Sequence, residues 1–203
     1  MTTPNVVRGY GPLDKLIARL RHGIAYRKLK PYYPLQCCLD IGSGAYPAFL
    51  IDLQARQKFG LEKSVSEELT RHAASMGITL VEHDLSRSVK LPFEDRFFDT
   101  VTMLAVIEHI EPPAVAMLLS EVYRILRPGG RLMMTTPAAW TDALLRGLAF
   151  CRLISREEID DHKDTFTQTK VKTCIAGAGF DTITTGSFEC GMNLWAFAVK
   201  KRD

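Results

Sequence analysis

The sequence predicts an α/β protein organised around a mostly parallel sheet, and three observations carry that reading. The apolar run Leu35 to Ile41, acidic at Asp40, breaks into Gly42-Ser43-Gly44. A buried parallel strand stops and turns sharply into a helix in this way. Strand-like and helix-like stretches then alternate as far as Thr136, the order expected of parallel strands joined by crossover helices. Two final strand-like stretches, around 180–188 and 193–200, meet across Cys190-Gly191. So short a connection makes them an antiparallel hairpin.

A chain of 203 residues is expected to form one domain with a core that needs no staples. Its 46% hydrophobic and 24% charged content is ordinary for a soluble globular protein. No run of about 18 apolar residues exists, so no membrane-spanning helix is expected. The start, Met1-Thr2-Thr3-Pro4-Asn5, lacks the apolar core of a signal peptide. Five cysteines with no Cys-x-x-Cys spacing argue against a disulfide framework or zinc site. Cys37 and Cys38 are expected to pack as small residues in or beside the first strand, and the chain reads as cytosolic. Residues 1–34 carry seven basic side chains against Asp14 alone, so a local charge of +6 sits beside a remainder of −3. Such an end suits an anionic partner, a membrane surface or an acidic substrate, and equally a solvated face.

The elements follow in order. Gly11-Pro12 and then Leu13, Leu16, Ile17, Leu20 and Ile24 have the spacing of an amphipathic helix over roughly 12–29, with Pro31 just beyond. Its apolar stripe is expected to pack on the domain, with a lid or a lipid contact as the sharper reading. A short helix is expected at about 47–55, then a strand around Lys58 to Leu61 ending at Glu62. A helix over 65–76, stopped by Gly77, precedes a third strand, Ile78 to Glu82, and His83-Asp84-Leu85 leaves its end. The fourth strand, Thr100 to Leu104, runs into Ala105-Val106-Ile107-Glu108-His109. Pro112-Pro113 opens a helix with Val115, Leu118, Leu119, Val122 and Leu126 in one stripe. Arg127-Pro128-Gly129-Gly130 reads as turn chemistry, and Arg131 to Thr136 as the fifth strand. A helix-like piece and a charged loop fill 138–166, and a helix over about 167–178 precedes the hairpin.

In order, then, stand Asp40-Ile41-Gly42-Ser43-Gly44 after strand one, Glu62 after strand two and Asp84-Leu85 after strand three. Around strand four lie Leu91-Pro92-Phe93, Phe98-Asp99 and Ile107-Glu108-His109-Ile110. Before strand five comes Leu126-Arg127-Pro128-Gly129-Gly130. Over residues 37–136 this set resembles class I S-adenosylmethionine-dependent methyltransferases of the type 11 group. The resemblance implies a three-layer Rossmann-like fold whose seven-stranded sheet is parallel except for an antiparallel last strand. It also implies S-adenosylmethionine as cofactor. The methionine end would rest on Asp40, the loop Gly42, Ser43, Gly44, Ala45 and Tyr46, and backbone at Leu104 and Ala105. Glu62 would take the ribose; Asp84 and Leu85 would take the adenine. Tyr46 stands where the family's third glycine is usual, so its side chain must point away or cover the ligand. A dehydrogenase is disfavoured, because its loop needs a third glycine where Pro47 stands.

The resemblance leaves the methyl acceptor open. The expected units are an N-terminal basic helix (1–34) and a methyltransferase domain (35–203), with 137–166 as the acceptor-binding insertion. The acceptor is expected to be a small molecule presenting an oxygen nucleophile, on an anionic, lipid-like or glycan-precursor substrate. His109 is the first candidate base and His162 the second, against the plainer reading that each only orders its loop. Some relatives hold a divalent cation with Glu-x-x-Glu-His; here its first position is Ala105, and no metal is expected. Nucleic acid is not expected, since basic and aromatic residues are not interleaved. Residues 8–30 offer a peripheral membrane contact. A non-catalytic, cofactor-binding scaffold is the competing class. The oligomeric state is not legible.

Overall fold

The computed structural model describes residues 14–44, 46–141 and 163–202. The strands are β1 (Leu35–Ile41), β2 (Ala55–Glu62), β3 (Ile78–Glu82), β4 (Phe98–Leu104), β5 (Leu126–Pro137), β6 (Thr182–Phe188) and β7 (Asn193–Val199). The helices, numbered among the described residues, are α1 (Asp14–Leu29), α2 (Ala48–Asp52), α3 (Glu67–Ser75), α4 (Pro112–Ile125) and α5 (Gln168–Gly177). All seven strands form one sheet in the order β3-β2-β1-β4-β5-β7-β6. Pairs from β3 to β5 are parallel, and β7 runs antiparallel to both β5 and β6. The expected three-layer sheet with one antiparallel strand is therefore what forms.

The side chains of β1 divide between two cores, alternating from Cys37 onward. Cys37, Leu39 and Ile41 join the core beneath α4 and α5, which contribute Val115, Leu118, Val122, Val171 and Ile175. Leu35 and Cys38 join the opposite core with Ile24, Ala25 and Leu29 of α1, Phe49 and Leu50 of α2 and Ala73 of α3. A central strand covered on both faces needs mostly apolar side chains, hence a run in which only Gln36 and Asp40 are polar. In the core beneath α4, Phe59, Phe93, Phe97 and Phe98 meet edge to face at centroid distances of 4.9–6.3 Å, the geometry that aromatic quadrupoles favour.

Two elements depart from expectation. The stripe expected to dock α1 does so only at its carboxyl half: Leu16 and Leu20 are 53% and 45% exposed, while Ile24, Ala25 and Leu29 are buried. The docking contacts explain the shift. Tyr26 stacks on Phe49 at 4.9 Å and its hydroxyl donates to the Phe49 carbonyl. Lys28 lies 3.5 Å over the Trp195 ring, so this basic side chain is held by an aromatic face. Pro31 does not stop the helix at once, because a short 3₁₀ turn, Lys30–Tyr32, continues it. The Arg127–Gly130 turn lies inside β5 rather than before it. Phe98 pairs with Leu126 and Thr100 with Arg131, so these four residues bulge from the ladder, with Gly129 at φ +75°. Such a bulge leaves pairing intact on either side. No described helix is long and apolar enough to cross a membrane.

Candidate active site

The carboxyl ends of β1, β2 and β4 bring most of the expected residues together. Gly42 and Gly44 both take φ +74°. A Cβ on Gly42 would stand 2.7 Å from the Val106 side chain, so glycine is needed there both for the turn and for the approach of the loop after β4. The Gly42 N–H donates to the Leu61 carbonyl, 2.8 Å away, and the Gly44 N–H to Glu62 Oε2, also 2.8 Å away. Glu62 Oε1 accepts from the Lys63 N–H at 2.9 Å. Glu62 thus braces the glycine loop, with further lone pairs on each oxygen. The N-cap of α3 is Ser66, which leaves Glu62 no capping duty.

Asp40 is 3% exposed and accepts a 2.6 Å hydrogen bond from the Thr102 hydroxyl. Burial outweighs that bond and, with the negative charge of Glu62, pushes the carboxyl up to about 7. Ser43 is buried, with its hydroxyl lacking a hydrogen-bond partner. It tucks over Gly60, where a Cβ would come within 2.7 Å of Ser43 Oγ. Gly60 is a site residue that the sequence reading missed; an isolated glycine inside a strand was its signal. Thr102, invisible for lack of any motif, is another.

Ala105 is held at φ +58°, rare for a residue with a Cβ, and its N–H donates to the Thr135 carbonyl at 3.0 Å. This turns the backbone at Leu104 and Ala105 out of the sheet. His109 ends a 3₁₀ turn, Ile107–His109, and is half-buried. Beside it, Glu108 is 2% exposed and accepts from the Thr136 hydroxyl at 3.0 Å. Asp84 accepts from both the N–H and the hydroxyl of Ser86, and the positive charges of Lys63 and Arg87 lie 3.6 and 3.5 Å away. The Ser86 hydrogen bonds, opposed by some desolvation and assisted by those charges, hold its carboxyl below the usual range. Leu85 follows it, packed on the core. Tyr46 points outward, 56% exposed, and stacks on His72 at 6.1 Å, so its ring does not fill the loop. Ala45, His162 and most of 137–166 lie outside the described residues. Among those described, no group of three His, Cys, Asp or Glu side chains is arranged for a metal. A cleft of 340 Å³ lined by Gln36, Cys37, Arg56, Gln57 and Arg127 opens at the opposite, amino end of β1.

The cradle fits a nucleoside-type cofactor. Glycine backbone, a buried unpaired hydroxyl and two carboxylates converge where open α/β sheets bind ligands. Residues 39–134 match the sequence model of the family described as "Methyltransferase domain". A "Probable S-adenosylmethionine-dependent methyltransferase" of Mycolicibacterium smegmatis is 31% identical over 118 residues, 58% of this chain and 44% of that protein. The chain thus spans less than half the length of this relative. Among solved structures, an S-adenosylmethionine-dependent methyltransferase of Thermotoga maritima superposes with TM-score 0.64 at 22% identity, over 92% of this chain and 95% of its own. Phosphoethanolamine N-methyltransferase 2 of Haemonchus contortus, in complex with S-adenosyl-L-methionine, gives 0.66 at 18% identity, over 91% and 53%. These likenesses agree with the fold. The match at residues 39–134 and the shared fold together support a class I S-adenosylmethionine-dependent methyltransferase domain in this chain.

Proposed function

We propose that this protein transfers the methyl group of S-adenosylmethionine to an oxygen nucleophile on a small-molecule acceptor. The observation that carries the reading is the glycine loop braced by Glu62 beside a buried Asp40, within a matched methyltransferase domain. Asp40, the loop and the backbone of Leu104 and Ala105 bind the methionine end. Glu62 accepts from the ribose hydroxyls; Asp84 and Leu85 contact the adenine. The cofactor, when bound, supplies a methyl group made electrophilic by its sulfonium. The protein's own task is then alignment, which alone lowers such barriers by roughly 7–11 kcal/mol. His109, just past β4, takes the proton from the acceptor hydroxyl, worth a further ~10²–10⁴-fold. Residues 8–30 and 137–166 supply the acceptor side, and Leu16 and Leu20 of α1 are exposed apolar side chains available for that role.

Thermal unfolding with S-adenosylhomocysteine tests the reading. The product should raise the melting temperature by mass action, and nicotinamide dinucleotides should not. No shift at millimolar ligand would favour a scaffold that has kept the fold without the cofactor.

A further inference from the structure

The tip of the β6–β7 hairpin carries polar groups that the fold itself leaves unsatisfied. Glu189 and Cys190 both take positive φ, +52° and +55°, which residues with a Cβ adopt only under constraint. Glu189 Oε2 accepts from Asn193 Nδ2 at 2.5 Å. Because a carboxylate can only accept, this contact fixes the amide orientation, with Oδ1 facing elsewhere. Asn193 is 7% exposed, and its Oδ1 is buried without a partner, as are Glu189 Oε1 and, from α1, Arg21 Nε. Burial raises the Glu189 carboxyl, and the Arg21 charge acts against that shift, which puts the two side chains in electrostatic reach. Buried polar atoms without partners in one neighbourhood call for an occupant.

The cluster stands at the ligand-binding end of the sheet. Asn193 pairs with Pro137 at the end of β5, and the preceding Thr136 bonds Glu108, the neighbour of His109. Trp140 donates its indole N–H to the Gly191 carbonyl at 3.1 Å while its ring stays 61% exposed. Adjacent strands are about 4.8 Å apart, so β7 lies roughly 10 Å from β4, within the span of a small acceptor.

We propose that Glu189, Asn193 and Arg21, with the Trp140 ring, recognise the acceptor, and that this acceptor carries a hydroxylated sugar ring. The inference rests on the methyltransferase reading. A hydroxyl both donates and accepts. Neighbouring hydroxyls therefore donate to Glu189 Oε1 and Asn193 Oδ1 and accept from Arg21 Nε, satisfying all three. An ammonium only donates and meets the charge of Arg21; a phosphate only accepts and meets that of Glu189. The C–H face of a pyranose packs on an exposed indole. Arg21 and Glu189 are only half-buried, so part of each side chain is open to an incoming ring.

Saturation-transfer NMR on the full chain with S-adenosylhomocysteine tests this, with the methyl glycosides of glucose, mannose and rhamnose as probes and hydroquinone and phosphocholine as controls. At least one glycoside should receive saturation. Glu189→Gln should weaken its binding about tenfold or more, and so should Trp140→Ala, a surface change that leaves folding intact. The thermal shift by S-adenosylhomocysteine should persist in both variants. Cofactor binding with no glycoside binding would overturn the proposal, leaving ordered water as the occupant. So would glycoside binding indifferent to both variants, or preference for either control. Variant-sensitive glycoside binding without any response to S-adenosylhomocysteine would keep the recognition site and sink the methyltransferase reading.

Discussion

Asp40 is the residue whose environment has the clearest consequence. Burial pushes its carboxyl up to about 7, so the folded free protein keeps the proton through a range in which an unfolded chain has lost it. Stability contributed by that proton is present at low pH and declines as pH rises from the ordinary value of 3.8 toward 7. A ligand bearing positive charge favours the ionised form, so its binding should expel the proton. S-adenosylmethionine should therefore bind more tightly as pH rises toward 7 and level off above. Calorimetry in buffers of different ionisation enthalpy should detect the released proton, and Asp40→Asn should abolish it. A flat pH dependence in the wild type would show that Asp40 does not face the cofactor's charge. At His109, Gln keeps polarity and removes the basic nitrogen. On the proposed mechanism kcat falls by about 10²-fold or more while cofactor affinity barely moves. Near-normal turnover with an unchanged pH profile would exclude it as the base.

At the scale of the element, α1 is a helix pinned by one half. His22 packs against Phe49 at 5.5 Å and Tyr26 at 6.3 Å. Burial, with the neighbouring Arg21 charge and against that of Asp52, lowers it to about 4. The neutral ring suits the docked helix, and the unfolded chain binds a proton first as pH falls. Stability is thus lost as pH drops from about 6.5 to about 4, then levels off. Discounted for partial exposure to about 1–2 kcal/mol, this loss is worth roughly 2–6 °C in melting temperature. Asp40 acts in the opposite sense over much of that range, so the difference between wild type and His22→Gln is what isolates the effect. Identical pH profiles for the two would mean that α1 docks without regard to His22.

For the whole molecule, the sheet order puts the glycine loop, the turn after β4 and the β6–β7 hairpin along one edge, although they are far apart in the chain. Antiparallel β7 makes this possible. Its reversed direction returns the hairpin tip, Glu189 to Asn193, to the carboxyl end of β5, where Ala138 N donates to the Met192 carbonyl at 2.8 Å. A seventh strand parallel to the rest would have carried those residues to the far side.

The sequence by itself determined the order and type of the described strands and longer helices and the ends of β1 and β3, because an apolar run broken by glycine or an acidic residue has one economical conformation. It also placed Asp40, Gly42, Gly44 and Glu62 at strand ends, since those positions depend on local chain geometry. Three matters were decided only in three dimensions. Which half of α1 docks depended on Phe49 and Trp195, partners that no helical periodicity can reveal. The Arg127–Gly130 turn became a bulge because β4 continued to pair on both sides of it. Gly60 and Thr102 joined the site, and Glu189, Asn193 and Arg21 gathered at the hairpin, through contacts between distant segments. Spacing along a chain encodes local conformation, while a cluster of side chains from separate elements exists only once the sheet has set their distances.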